Sequence, residues 1–298
     1  MRAYHVAGII PVNSQPMDFQ FPWHDCLTPI APNFLSIERA ILECATAGCE
    51  TIWIACPYGI QPLLRKRIGD TVEDPTWYRR SKYIKFKEKC KKDIPIYYIP
   101  VHPKDQDKRD SIVWNMLYAC SWVDKLSSWL SKWARPEKYY ICFPNAVLPS
   151  QFVRKYRHDI AKKRRFLISH QGRTILDGEY LSGTFTFEDI KFLLKEFKRQ
   201  ATGLWDPNSP KRDGLYPTER LPLENRYSGR FLTIADIFSK LPQEEDTKIM
   251  NIEWYYDISC WKKLKIYLSS EHSDKMKRPY RKLLKHTTLK GIAALDAK

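Results

Sequence analysis

Three polar positions stand where a side chain could meet a ligand. Asn145 and Asp257 each close an apolar run (YYICF before Asn145, IEWYY before Asp257), and Asp25 ends a turn-rich loop that starts at Asn13. By residue type alone Asn145 can offer a carbonyl oxygen but no charge, and Asp257 reads as an acid that ends a strand or caps a helix starting near Ser259. His24, beside Asp25, could act as a base or bind a phosphate; in a loop rich in Phe and Trp it is more often a packed or solvated imidazole. His102 stands at a strand end, a position favoured for ligand contact, though the bland reading, an imidazole with no ligand, is preferred, and Ser14 and Ser111 have no visible base that would make either a nucleophile. The eight cysteines form no CxxC pair and no Cys/His group at zinc spacing.

Two basic stretches suggest a different chemistry. The segment TWYRRSKYIKFKEKCKK, Thr76 to Lys92, mixes Arg79, Arg80 and Lys82 with Trp, Tyr and Phe. Such a mixture suits stacking on bases with phosphate neutralisation, and equally a basic surface helix whose aromatics pack inward. From Lys275 to Lys290 there are seven basic residues and no acid, among them Lys277, Arg278, Arg281, Lys282 and Lys285. A polyanion, either nucleic acid or a larger protein assembly, is the partner this run would suit; a solvated end is the alternative.

These residues hang on an alternating pattern. HVAGIIPV reads as a strand, FLSIERAILECATAG as an amphipathic helix closed by Gly48, TIWIACP as a strand and IQPLLRKRIGD as a helix. IPIYYIPV, YYICF and residues 165–170 continue as strands, and DSIVWNMLYACSW and FEDIKFLLKEFKRQ as helices, the latter favoured by Glu188 and Asp189 in its first turn. Residues 152–165 read as a basic helix, 172–187 as a hairpin or meander, LTIADIFSKL as a helix, MNIEWYYDI as one strand, and a last helix begins at Trp261. The alternation predicts an α/β fold: a mostly parallel central sheet covered by helices on both faces, with ligands beyond the carboxyl ends of the strands. The expected organisation is one α/β domain over 1–270, with a basic aromatic insertion at 76–92 and a Pro-rich one at 205–223. A basic extension follows at 271–298.

Composition agrees with a folded chain. A hydrophobic fraction of 43% and ten Trp argue against disorder. The formal charge of +16 is uneven: residues 1–150 carry 20 basic and 15 acidic side chains, the remainder 30 and 19. Cys44, Cys56 and Cys142 fall in apolar runs and read as buried thiols. No apolar run is long enough to span a bilayer and no signal peptide is evident, so a reducing cytosol is the expected setting, with no membrane partner.

Several phrases, in this order, resemble the sugar-nucleotidyltransferase family, the nucleotide-sugar pyrophosphorylases of GT-A-like, Rossmann-like fold. VAGIIPV is similar to the family's opening strand, and LTPIAPNFLSIERAILECATAGCETIWIAC to the segment after its lysine-proline. PYGIQPLLRKRIGD looks like the next helix, and YYICFPNAVLP sits where a metal-binding strand end belongs. SGTFTFEDIKFLLKEF, LTIADIFSKL and IEWYYDISCWKKLKIYL resemble the closing half, the last phrase most specifically. The resemblance covers roughly residues 4 to 270.

It implies a sugar phosphate attacking the α-phosphate of a nucleoside triphosphate, with magnesium held at Asn145 and Asp257 as the catalytic and metal positions. Nucleotide contacts would fall at Val12, Asn13, Ser14, Asp25, Asp110 and Ser111. This chain departs from the pattern where the chemistry is done. The loop from Asn13 to Asp25 has no glycine, and Pro16 removes an amide donor. Asp25 stands at the family lysine, a reversal of charge that would repel a triphosphate unless a cation intervened. Asn145 replaces the first metal aspartate. The expectation is a diverged or inactive homologue that binds a nucleoside triphosphate or nucleotide sugar. Active magnesium-dependent transfer with pyrophosphate release and a nucleic-acid or assembly-binding module are the alternatives.

Overall fold

A computed structural model of the chain describes residues 5–13, 17–75, 93–102, 111–130, 135–201 and 232–278. The segments expected to be insertions, 76–92 and 205–223, lie outside these, as do 279–298 of the basic extension.

The opening residues form strand β1 (Val6–Pro11), a small hairpin of β2 (Pro29–Ala31) and β3 (Phe34–Leu35), helix α1 (Ser36–Ala47), β4 (Thr51–Cys56), α2 (Gln61–Ile68) and β5 (Thr71–Glu73). The hairpin was not foreseen, since two- and three-residue strands leave no periodicity to read. Then follow β6 (Asp93–Pro100), α3 (Ile112–Leu130), β7 (Lys138–Ile141), β8 (Ala146–Val147), α4 (Arg157–Lys162), β9 (Arg165–Ser169), β10 (Gly183–Thr186) and α5 (Phe187–Ala201). The described chain closes with α6 (Ile234–Phe238), β11 (Thr247–Asn251), β12 (Tyr256–Asp257), α7 (Trp261–Leu268) and α8 (Glu271–Lys275).

One eight-stranded sheet has the order β11-β9-β10-β7-β1-β4-β6-β5. Neighbours β7, β1, β4 and β6 pair in parallel, as do β9 and β11, whereas β10 is antiparallel to β7 and β9, and β5 to β6. The α/β sheet sandwich expected from the alternation is therefore present. Alternate residues of β1 serve opposite faces: Val6 and Ile10 join the layer built on α1, α4 and α7, while Ala7 and Ile9 join that of α3, α5 and α6.

Three sequence readings need correction. Residues 152–165 are a 3-10 turn at Ser150–Tyr156 followed by the short α4, not one helix. The stretch 172–187 gives a single strand, β10, preceded by a 3-10 turn at Ile175–Asp177. MNIEWYYDI splits into β11 in the main sheet and β12, which pairs with β8 in a separate two-stranded sheet; the burial pattern of such a run does not reveal that the chain changes sheets. The LTIADIFSKL helix is confined to the five residues of α6, capped by the Thr233 hydroxyl.

Two glycines fix α1 on the sheet. Gly48 ends the helix in the left-handed conformation at φ +97°, the usual C-terminal cap. At Gly8 a Cβ would lie 3.0 Å from Cys44 Cβ and Sγ, so its absence lets α1 approach β1. Inside the layer, Arg39 pairs with Glu43, and both are fully buried. Tyr140 and Ser182 donate their hydroxyls to Glu43 Oε1, and Arg39 Nη2 donates to the Phe143 carbonyl at 2.7 Å. That last bond ties α1 to the loop leaving β7. Among the described residues no helix is long and apolar enough to cross a membrane.

Candidate functional site

Strand β1 sends the chain to β4 on one side, while β7 lies on its other side, so the sheet has a topological switch at β1. A crevice forms beyond the carboxyl ends at such a point. A recess of about 10 Å³ is found there, lined by Pro11, Val12 and Asn13 after β1, His24, Asp25 and Cys26 from the loop, Ile112 at the start of α3, and Pro144 and Asn145 after β7. Four positions expected to make contacts, Val12, Asn13, Asp25 and Asn145, therefore converge. Asn115 of α3 steadies the floor by donating its amide to the Val12 carbonyl at 3.0 Å. Ser111 precedes α3 and accepts from Trp114 N at 3.2 Å, acting as a helix cap. Ser14 and Asp110 lie outside the described residues.

The loop from Met17 to Asp25 is packed against the protein. Asp18 accepts Trp261 N at 2.8 Å, so it supplies from a distance the carboxylate that the N-terminus of α7 lacks locally. The amides of Trp261 and Gln20 hold its carboxyl below the usual range. Phe21, Trp23 and Trp261 form an aromatic cluster with centroids 5.6 to 6.3 Å apart. Where a phosphate cradle would need free amides, Met17 N donates instead to Asp25 Oδ2 at 2.7 Å.

Asp25 is 5% exposed, and burial pushes its carboxyl upward, opposed by the Met17 amide and by His24. Its Oδ1 has no hydrogen-bond partner among the described residues, nor have Asn13 Oδ1 and His24 Nδ1. His24 Nε2 lies 2.7 Å from the Asn13 carbonyl, an acceptor, so this nitrogen carries the proton.

Asp257 ends β12, and both of its oxygens are engaged. Oδ1 accepts Ser259 N at 2.8 Å and Oδ2 pairs with Lys263 in the first turn of α7. Burial opposes the charge on Lys263, and the bond to Asp257 outweighs it, raising the ammonium's pKa. Asp257 thus ends a strand and closes a turn onto Ser259, but it does not cap α7, whose first amide, Trp261 N, is taken by Asp18. Asn145 places its side-chain amide 2.7 Å from Met17 Sδ, and its backbone carbonyl accepts Ile258 N, linking the β7 and β12 ends. As they stand, Asn145 and Asp257 do not present the open oxygen set that magnesium requires. Tyr180 feels both acidic positions: burial first, then the Asp257 and Asp25 carboxylates, push its phenol upward.

Sequence reasoning missed Lys263, Met17, Tyr180 and Trp261. Lys263 had a signal, a lysine six residues after a strand-ending acid at a helix start; Met17 and Tyr180 had none. Of the cations proposed to meet a polyanion, Arg278 is committed to buried Glu38, which also receives Arg67 at 3.0 Å. Lys277 is described at the end of the ordered helices, whereas Arg79, Arg80, Lys82, Arg281, Lys282 and Lys285 lie outside the described residues. His102 follows β6 and is exposed, away from the recess lining.

No protein-family model and no curated protein matches the chain in sequence. Its fold is similar to that of a protein from Bacillus anthracis assigned as a glucose-1-phosphate thymidylyltransferase and solved with sucrose, at TM-score 0.54 and 8% identity, covering 93% of this chain and 98% of that one. A 4-diphosphocytidyl-2C-methyl-D-erythritol synthase of Anaerococcus prevotii aligns at TM-score 0.48 and 8% identity, over 89% of this chain and 94% of that one. The first of these shares the fold, a mostly parallel central sheet flanked by helices.

Proposed function

We propose that this chain is a nucleotidyltransferase-like protein, diverged and without transfer activity, that holds a nucleoside triphosphate or nucleotide sugar across the carboxyl ends of β7, β1 and β4. The observation that carries the reading is the lined recess at the sheet's switch point, on a fold similar to that of a sugar-nucleotide enzyme. The recess itself has room for about one water-sized group, so base and sugar lie outside it, over the strand ends. Loss of transfer follows from the donors. The loop's cation is replaced by Asp25, and the Met17 amide is spent on that acid. Asp257 is closed by Lys263 and Ser259. Phosphoryl chemistry depends on positive charge placed where the transferring oxygens become negative, and an acid at this point works against it.

A thermal-shift screen of nucleoside triphosphates and nucleotide sugars, with and without magnesium, tests the reading, because a ligand bound only to the folded state raises Tm. A shift with one nucleotide class that does not require magnesium is expected. Absence of any shift at millimolar ligand would count against a nucleotide site.

A further inference from the structure

Three of the residues that line the recess each carry a buried side-chain acceptor atom with no hydrogen-bond partner among the described residues. Asp25 Oδ1 is a carboxylate oxygen, Asn13 Oδ1 an amide carbonyl and His24 Nδ1 an imidazole nitrogen. The tautomer of His24 is set by its other nitrogen. Nε2–H donates to the Asn13 carbonyl, so the neutral ring carries its lone pair on Nδ1. A ring held by one N–H on a backbone carbonyl, with its other nitrogen bare, is the arrangement that orients a metal-ligating histidine. Leaving three such acceptors unpaired in a buried place is costly, and a cation satisfies all of them at once. The free space of about 10 Å³ suits one ion, and the recess is partly open, so water can reach the ion's outer side.

We propose that the recess binds one divalent transition-metal ion, of the manganese or zinc class, through Asp25, His24 and Asn13, with water completing its shell. A nitrogen donor among the three disfavours magnesium and calcium, which prefer all-oxygen sets. The site shares the recess with Asn145 but takes no ligand from Asn145 or Asp257, and it does not rest on nucleotide binding. It gives a physical reason for a buried acid at a position where phosphate chemistry would need a base: the carboxylate faces a cation.

Manganese is the suitable probe, because zinc would also bind the cysteines of unfolded chain. Free Mn²⁺ is counted by electron paramagnetic resonance against the purified full chain, without nucleotide, for wild type, Asp25→Asn, His24→Gln and Asp257→Asn. The expected result is one site per chain, weakened roughly tenfold or more in Asp25→Asn and in His24→Gln, and unchanged in Asp257→Asn. Unaltered circular dichroism and a melting temperature no lower than wild type in metal-free Asp25→Asn separate loss of a ligand from loss of the fold; His24→Gln supplies the same comparison if that variant does not fold. No stoichiometric Mn²⁺ site, a site that survives both recess substitutions, or one lost only in Asp257→Asn would overturn the proposal.

Discussion

Replacing Glu43 by Gln should be strongly destabilising. The carboxylate is fully buried, balances Arg39, and accepts the Tyr140 and Ser182 hydroxyls on one oxygen. Neutralising it leaves the Arg39 guanidinium, 1% exposed, without a counter-charge. Removing one member of a buried pair costs ~3–5 kcal/mol, against a total margin on the order of 5–15 kcal/mol for a native domain. Tyr140→Phe, which removes one hydroxyl and leaves the pair, should cost only about 1 kcal/mol. Urea denaturation reads both as a fall in midpoint at constant slope. The loss should also reach the site, because Arg39 holds the Phe143 carbonyl two residues before Asn145; amide exchange at Phe143, Asn145 and Ala146 should quicken in Glu43→Gln. A stability loss below about 1 kcal/mol in Glu43→Gln would refute the reasoning, since the buried guanidinium would then not need its partner.

Other outcomes follow from the same structure. Asp18→Ala removes the acceptor for Trp261 N and should loosen the start of α7, read as faster amide exchange there. Gly48→Ala forces a side chain into the left-handed region and against Arg157 Nε at 2.6 Å, so a loss of ~1–2 kcal/mol or more is expected in chemical denaturation. Burial raises the thiols of Cys26, Cys44, Cys56, Cys120 and Cys142, Cys56 to about 12. The folded state keeps these protons while the unfolded chain loses them above pH ~9, so stability should fall from there with a limiting slope of about 1.4 kcal/mol per pH unit for each thiol. Lys138, lowered to about 8 by burial where it donates to the Ala161 carbonyl at 2.7 Å, acts in the opposite sense. The unfolded chain binds its proton more tightly, so Lys138→Met should steepen the decline between pH 8 and 10.5. If residues after Asp274 meet a polyanion, deleting them should flatten the salt dependence of nucleic-acid binding.

The fold was legible where one period ran long enough to identify a face. The run from residue 34 to 56 gave α1, its glycine cap and β4 because the apolar spacing changes from helical to strand-like across Gly48. Phe187–Ala201 was equally plain, with Glu188 and Asp189 opening it. Short elements and changes of sheet were not legible: β11 and β12 look like one strand because each is only a few residues long and neither carries a clean alternation. Of the site, the convergence of Asn13, Asp25 and Asn145 could be read from their places after β1, in the following loop and after β7. What those groups do to one another could not. That Asp18 caps α7 across 243 positions, or that Lys263 closes Asp257, depends on tertiary placement that no local pattern encodes.

The central claim is that the crevice retains nucleotide while transfer is lost. Its most direct test measures both in one sample: the nucleotide selected by the thermal screen is incubated with magnesium and a panel of sugar 1-phosphates, its binding followed by calorimetry and pyrophosphate by a coupled assay. Saturable binding with no pyrophosphate above the protein-free control is the predicted result. Pyrophosphate released with turnover, abolished by Asp257→Asn, would contradict the account.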